Sequence, residues 1–214
     1  RDEYVLAQEI QVGDTLISLE RLPDQGRAVS PSGRILTVGF MEFAGLLMAD
    51  GNINYQRGKP SHVSIARADH ASYMPHYREV MKQEFTRVSN RGIYSSAIQE
   101  RCEVTLSEGV RCTRFASTED AQSLFDDGFS GTAFTKRVPG WVFEATEEMQ
   151  LAFLRGFLDG DGTVDTKGRI TFYSASKPLI DDIRHLCMNV GVPVTNTRFD
   201  LNSAAAFGNQ TKMW

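Results

Sequence analysis

Cysteine and histidine are scarce in this chain, and neither is grouped. The three cysteines, Cys102, Cys112 and Cys187, form no CxxC pair, and an odd number does not close into a full disulfide frame. They read as free thiols in a reducing, cytoplasmic setting. Of the four histidines, His70 and His76 are six residues apart, which is not ligand spacing. No zinc framework is expected. No run of ~18 apolar residues occurs, so no membrane-spanning helix and no membrane partner are expected. The opening RDEYVLAQEIQVGD is charged and lacks a signal-peptide pattern. There is no excess of positive charge either. The net charge of −4, taken alone, argues against a nucleic-acid partner.

What the chain does have is alternation. Its 214 residues, 41% of them hydrophobic, can bury the core of one large domain or two small ones. Residues 1–51 carry −4, 52–115 carry +4, 116–165 carry −7 and 166–214 carry +3. Each acidic block is followed by a basic one, which points to an internal duplication.

Two segments carry the duplication, FAGLLMADG (43–51) and LRGFLDGDG (154–162). Four of nine positions are identical: Gly45/Gly156, Leu47/Leu158, Asp50/Asp161 and Gly51/Gly162. Each reads as the end of a helix, 38–49 capped by Thr37 and 147–160 capped by Thr146. Glu147 and Glu148 suit the second helix's first turn. Gly51 and Gly162 read as the stops.

The segments after the two helices also match. A hairpin turning at Arg57-Gly58-Lys59-Pro60 corresponds to one turning at Thr166-Lys167-Gly168. Helices are expected in HASYMPHYREVMKQEF and in KPLIDDIRHLCMNVG, and strands after each. Those strands are GIYSSAIQE and CEVTLSEGVRCTRFA in the first half, PVTNTRFDL and AAAFGNQTKMW in the second. TEDAQSLFDDGF closes the first half as a helix. The repeated order is α-β-β-α-β-β, closed by a further helix in the first half, and the expected fold class is α+β with two pseudo-symmetric units at 35–140 and 141–214 after a leading segment 1–34. The second unit is expected to be incomplete at its C-terminal end.

The strands alternate with period two. One face of the first hairpin holds Asn52, Asn54 and Gln56, and one face of the second holds Asp165, Lys167, Arg169, Thr171 and Tyr173. Such side chains can bond base edges and phosphates. Arg57, Lys59, His62, Ser64, Arg91, Arg111, Asn196, Arg198 and Lys212 join them as candidate DNA contacts. The plain alternative is a solvated sheet face.

Gly45 and Ala49 share a helix face, as do Gly156 and Gly160. A stripe of small residues lets two helix backbones approach. Packed about a pseudo-two-fold axis, the two helices would bring Asp50 and Asp161 together. Two adjacent carboxylates repel unless a cation lies between them, and hard divalent ions such as Mg²⁺ take oxygen ligands. The chemistry this suggests is hydrolysis of a phosphodiester.

The two segments resemble the paired motif of the LAGLIDADG homing endonucleases. FAGLLMADG matches that nonapeptide at six positions and LRGFLDGDG at five, and the resemblance spans residues 35–214. It implies paired αββαββα units whose sheets form a saddle over double-stranded DNA. It also implies that Asp50 and Asp161 are metal-binding catalytic acids, with Ala49 and Gly160 beside them at the metal. The implied activity is a Mg²⁺-dependent double-strand cut at a long asymmetric site, Mn²⁺ substituting, made by a monomer. TKRVPGW resembles a Lys-x-hydrophobic-Pro segment of intein-borne members, which makes Lys136 the third catalytic candidate. YVLAQEIQVGDTLISL resembles a strand segment of an intein splicing domain, implying a larger intein polypeptide.

The two copies are not equivalent. Met48 stands where the family usually has an acid, while Asp159 fills that position in the second copy. Lys136 lies 86 residues beyond Asp50, and the same offset from Asp161 passes Trp214. The alternative on the same scaffold is a non-cleaving DNA or RNA binder, a maturase or a regulator. A pure binder could drop either acid, and both are present.

Overall fold

The computed structural model describes residues 7–14, 21–68, 71–85, 88–89, 92–93, 103–107, 110–115, 118–195 and 197. Two long helices form its centre, α1 (Val38–Asp50) and α4 (Glu147–Asp161). Both start where a threonine can cap them. The Thr37 hydroxyl accepts from the Phe40 N–H at 2.9 Å and the Thr146 hydroxyl accepts from the Met149 N–H at 3.4 Å.

Each helix runs directly into a strand. Gly51 and Gly162 come next with φ of −90° and −130°, so neither stops its helix by turning left-handed. Space is the reason for glycine there. A β-carbon at Gly51 would sit 2.5 Å from the Leu47 carbonyl oxygen, and one at Gly162 would sit 2.7 Å from that of Leu158.

The first unit continues as β1 (Gly51–Gln56), β2 (Lys59–Ala68), α2 (Met74–Glu84), β3 (Val88–Ser89), β4 (Gly92–Ile93), β5 (Glu103–Ser107), β6 (Val110–Phe115) and α3 (Thr118–Asp126). Four of these strands make one antiparallel sheet in the order β1-β2-β6-β5. The β1–β2 turn is only Arg57-Gly58, with φ of 53° and 78°, and Lys59 and Pro60 belong to the strand. A two-residue turn of this hand matches the twist of the flanking strands. Helix α2 begins at Met74, later than its sequence suggested, with Pro75 in its first turn.

The second unit continues from α4 with β7 (Gly162–Val164), β8 (Ile170–Phe172) and α5 (Lys177–Asn189). The order repeats the αββα opening of the first unit, in a mixed α+β fold of small antiparallel sheets. The strands expected in residues 94–101 and 204–214 lie outside the described residues; of the strand expected at 193–201, residues 193–195 and 197 are described and belong to no strand.

The core gathers around α1. Phe40, Met41, Phe43, Ala44 and Leu46 are wholly buried, so this helix is buried on every side, with Glu42 its one buried acid. Aromatic rings extend the core outward: Phe43 meets Phe85 at 4.8 Å and Phe129 meets Trp141 at 5.8 Å between centroids. Residues 21–36 strap across the outside. The Leu22 N–H donates to the Asn189 carbonyl at 3.0 Å, Arg27 bridges to Ala145, and the Ser32 N–H donates to Asp127 at 2.7 Å. Residues 7–14 are exposed and hold a 3₁₀ turn at Ala7–Glu9, and the rest of the segment likened to an intein strand lies outside the described residues. No helix of the described residues is long and apolar enough to cross a membrane.

Candidate active site

The two central helices touch backbone to backbone. A β-carbon at Gly45 would lie 2.0 Å from the Phe153 carbonyl oxygen, and one at Gly156 would lie 1.8 Å from that of Glu42. One at Gly160 would lie 2.5 Å from the Ala49 β-carbon and 3.2 Å from a carboxylate oxygen of Asp50. The small-residue stripes thus face each other, and the C-terminal ends of α1 and α4 come together with Asp50 and Asp161 as their last residues.

Both carboxyl groups are pushed upward. Asp161 rises to about 7, first through burial and then through the charge of Asp50, with Lys136 opposing. Asp50 also rises through burial, opposed by the Lys136 charge and by the Tyr73 hydroxyl, which donates to it at 3.4 Å. Lys136 is drawn down to about 8, because burial outweighs the pull of Asp161 and Asp50.

Lys136 also closes the end of α1. Its ammonium donates to the carbonyls of Met48 (2.8 Å), Ala49 (3.1 Å), Gly51 (2.8 Å) and Leu47 (3.4 Å). The last carbonyls of a helix lack partners within it and carry its negative pole, so a cation there satisfies both. Beside the lysine opens a groove of about 630 Å³, lined by Asn52 to Tyr55 on one side and Phe129 to Thr132 on the other.

Among the described residues no three His, Cys, Asp or Glu side chains gather into a metal-sized group. Asp50 and Asp161 supply hard oxygen donors held close despite their like charge, and this suits a divalent cation that keeps most of its waters. Of the two residues expected beside the metal, Ala49 turns its carbonyl to Lys136 and Gly160 packs on Ala49.

The candidate DNA contacts fall into three groups. Asn52 pairs with Ser64 and Asn54 with His62 across β1 and β2. The Asn54 amide donates to the Ser64 hydroxyl at 2.7 Å, and the Asn52 amide to the Asn54 oxygen at 3.2 Å. Val63 and Ile65 alternate with these residues and are buried, so the polar set shares the outer face. Gln56, Arg57 and Lys59 are exposed at the hairpin's tip.

In the second hairpin Lys167, Arg169, Thr171 and Tyr173 are exposed. Asp165 is committed to the turn itself, accepting from the backbone N–H of Lys167 (2.8 Å) and of Arg169 (2.9 Å). The other face differs from its expected packing. Phe172 meets Phe157 at 5.8 Å, but Val164 and Ile170 are 58% and 48% exposed. In the first unit α3 covers the corresponding sheet face, and no described element does so here.

Arg111 lies in β6 opposite Arg67, an odd step from Arg114, which pairs with Ser64. The register therefore puts Arg114, which the strand pattern did not single out, in the Asn52–Ser64 row. Arg91, Asn196, Arg198 and Lys212 lie outside the described residues.

The unequal motif positions have partners of their own. Asp159 accepts from the Tyr77 hydroxyl of α2 at 2.8 Å, and Arg155 pairs with the buried Glu42, which also meets His76 at 2.8 Å. Their counterparts Met48 and Ala44 are core residues. The polar substitutions of the second motif thus face α2 of the first unit. Nothing in the sequence marked Tyr73, Tyr77 or Glu42 for this, beyond the i,i+4 spacing of the two tyrosines.

Comparison with known proteins points the same way. Residues 148–200 match the model of the LAGLIDADG-like domain. The fold resembles that of the homing endonuclease I-DmoI, solved with its target DNA in the presence of Mg. The TM-score is 0.52 at 15% identity, over 79% of this chain and 84% of that one. A second I-DmoI structure, with target DNA and Mn, gives 0.51 at 16% identity over 79% and 83%.

In sequence, 85 residues are 34% identical to an iron-sulfur cluster assembly SufBD family protein of Mycobacterium leprae (strain TN), over 39% of this chain and 10% of that protein. Over 84 residues the chain is 30% identical to a DNA polymerase of Thermococcus sp. (strain GE8), covering 39% of this chain and 5% of the polymerase. The chain thus matches only a small part of either relative's length. Residues 148–200 are similar to a LAGLIDADG-like domain, and the chain has the fold of the homing endonuclease I-DmoI, in keeping with the family its two motifs resemble.

Proposed function

We propose that this chain is a homing endonuclease domain that makes a divalent-metal-dependent double-strand break in DNA at a long asymmetric site. The observation that carries the reading is the junction of α1 and α4. Two helices in backbone contact deliver Asp50 and Asp161 to one point, and a buried lysine faces both.

Asp50 and Asp161 would hold Mg²⁺, or Mn²⁺ in its place. An ion held there would supply polarisation of the phosphate and a more acidic water. The carboxylates accept protons and orient water. Lys136 offsets negative charge growing on phosphate oxygens and keeps the end of α1 in register. The Asn52–Asn54–Ser64 face and the exposed Lys167, Arg169, Thr171 and Tyr173 form the DNA platform. Arg57 and Lys59 meet phosphates at its edge.

The unit boundaries, 35–140 and 141–214, track the two motifs, and one chain supplies both halves of the site. The matches to an iron-sulfur assembly protein and to DNA polymerases support an intein origin. Matches that cover only 10% and 5% of two proteins with unrelated names are what an insertion carried by different hosts would give.

The test uses DNA of a host gene lacking the insertion, incubated with the protein with and without Mg²⁺. A metal-dependent double-strand break that disappears in Asp161→Asn is the expected result. Tight, salt-sensitive binding without a cut in any divalent ion would replace the nuclease by a non-cleaving binder on the same scaffold.

A further inference from the structure

Lys136 reaches the site from a segment with no regular structure. Residues 136–139 belong to neither helix nor strand, so their backbone groups need partners elsewhere. The Lys136 N–H donates to the Thr132 carbonyl at 3.1 Å. The next two bonds come from the second unit. The Ser176 hydroxyl donates to the Lys136 carbonyl at 2.7 Å, and the Val138 N–H donates to Asp182 at 3.1 Å. The Arg137 guanidinium adds two bonds to the same carboxylate, at 3.1 and 2.8 Å.

Asp182 is 5% exposed, Ser176 is wholly buried, and so is most of Val138. A carboxylate is tolerated at such burial only when it is fully partnered. A carboxylate serving its own helix would sit in the first turn and accept from the amides there. Asp182 stands further into α5 and commits both oxygens to Arg137 and Val138. Ser176 caps α5, accepting from the Leu179 N–H at 3.3 Å, and uses its proton on the lysine's segment.

We propose that Ser176 and Asp182 are positioning residues for Lys136, a clamp by which α5 of the second unit fixes the lysine at the end of α1. Its catalytic consequence rests on the proposed nuclease function, but the clamp itself does not. The ammonium spends its three N–H groups on carbonyls where α1 runs into β1, so a small shift of the Lys136–Val138 backbone would withdraw it. Besides Asp161, the second unit thus supplies the site with two residues that touch neither metal nor DNA and act only through Lys136.

The full chain tests this in Ser176→Ala, Asp182→Ala and Asp182→Asn. Folding is checked first by thermal melting. Lysine accessibility is then read at one fixed pH, as acetylation by acetic anhydride quantified for each lysine by mass spectrometry, with exposed Lys59 as the internal reference. In the two alanine variants Lys136 is expected to acetylate several-fold faster relative to Lys59. Asp182→Asn, which keeps an acceptor for the Val138 N–H, is expected to lie between them and the parent. On DNA that the parent cuts, the single-turnover rate should fall by about 10- to 100-fold with unchanged affinity.

Folded alanine variants whose Lys136 acetylates at the parent rate would overturn the clamp, as would unchanged cleavage. If Asp182→Ala does not fold, Arg137→Ala carries the same readout, since it removes two of the three bonds to that carboxylate. Faster acetylation in a protein that cuts no DNA would leave the clamp standing and remove the nuclease reading alone.

Discussion

Gly156 lies so close under the carbonyl oxygen of Glu42 that a β-carbon on it would stand 1.8 Å away. The reciprocal contact, Gly45 against the Phe153 carbonyl, would be 2.0 Å. In both cases the obstacle is backbone, which cannot swing aside as a side chain can. Gly45→Ala and Gly156→Ala must therefore separate the helices. Overpacking of this kind costs about 1–3 kcal/mol or more, and a domain of this size loses roughly 2–4 °C of Tm per kcal/mol. Gly140→Ala, whose β-carbon would meet nothing within 4 Å, is the control and should melt within a degree or so of the parent. If Gly156→Ala melted with the control, the backbone contact between α1 and α4 would be wrong.

The same contact marks what the sequence could and could not disclose. The helix pair, its caps and the first hairpin were legible because each rests on local chemistry. A threonine hydroxyl caps a helix, small residues four apart share a face, and alternation sets a strand's faces. The meeting of Asp50 and Asp161 came from repetition of the motif. What stayed hidden depends on contacts between distant segments. No local pattern tells that Asp182 bonds the Val138 N–H, 44 residues away, or that Asp159 meets Tyr77. The stop glycines were placed correctly but for a different physical reason, space and not handedness. The exposure of Val164 and Ile170 was not foreseen, because alternation shows only that two faces differ and not that one is covered.

The acid pair makes stability depend on pH. Asp161 moves from 3.8 in an ordinary setting to about 7 in the folded chain. Between those values the folded state holds a proton that the unfolded state has released, so stability falls as pH rises through that window. Lys136 moves the other way, from 10.5 to about 8. Above 8 the unfolded state binds the extra proton, and stability recovers as pH rises. Without divalent ions, Tm should therefore pass through a minimum between these ranges, near neutral pH. Asp161→Asn should flatten the acid side of the curve. Mg²⁺ or Mn²⁺ should raise Tm at pH 8 and do little at pH 5, where Asp161 is protonated. A melting series across pH, with and without the ion, checks all three. A parent whose Tm rose steadily from pH 5 to 7 would contradict the buried acid pair.

Tyr77 and Asp159 join α2 of the first unit to α4 of the second. Burial and the bond to Asp159 both push the Tyr77 hydroxyl well above its usual range, so it remains a donor at every working pH. Tyr77→Phe removes the donor and Asp159→Asn the charge. Each should cost about 1 kcal/mol. Because the two groups share one bond, the double variant should lose less than the sum, with a coupling of about 0.5–1 kcal/mol. Urea titration of the four proteins measures it. Strict additivity would mean that the bond adds nothing to how the units dock.

The two hairpins separate affinity from specificity. Asn54 sits within a bonded set, its amide on the Ser64 hydroxyl and its oxygen accepting from Asn52, so its orientation is fixed before DNA arrives. Preset polar groups on a strand face suit base edges, and Asn54→Ala should relax sequence preference with modest loss of overall binding. Arg169 is 73% exposed, 3.7 Å from Asp165, and free to follow a phosphate. Arg169→Ala should weaken binding to all sequences alike and lower the slope of log K against log salt by about 1. Binding to matched and scrambled duplexes over a salt series distinguishes the two outcomes. Equal loss on both duplexes for Asn54→Ala would move that residue to the phosphate class, and unchanged binding for Arg169→Ala would remove it from the DNA face.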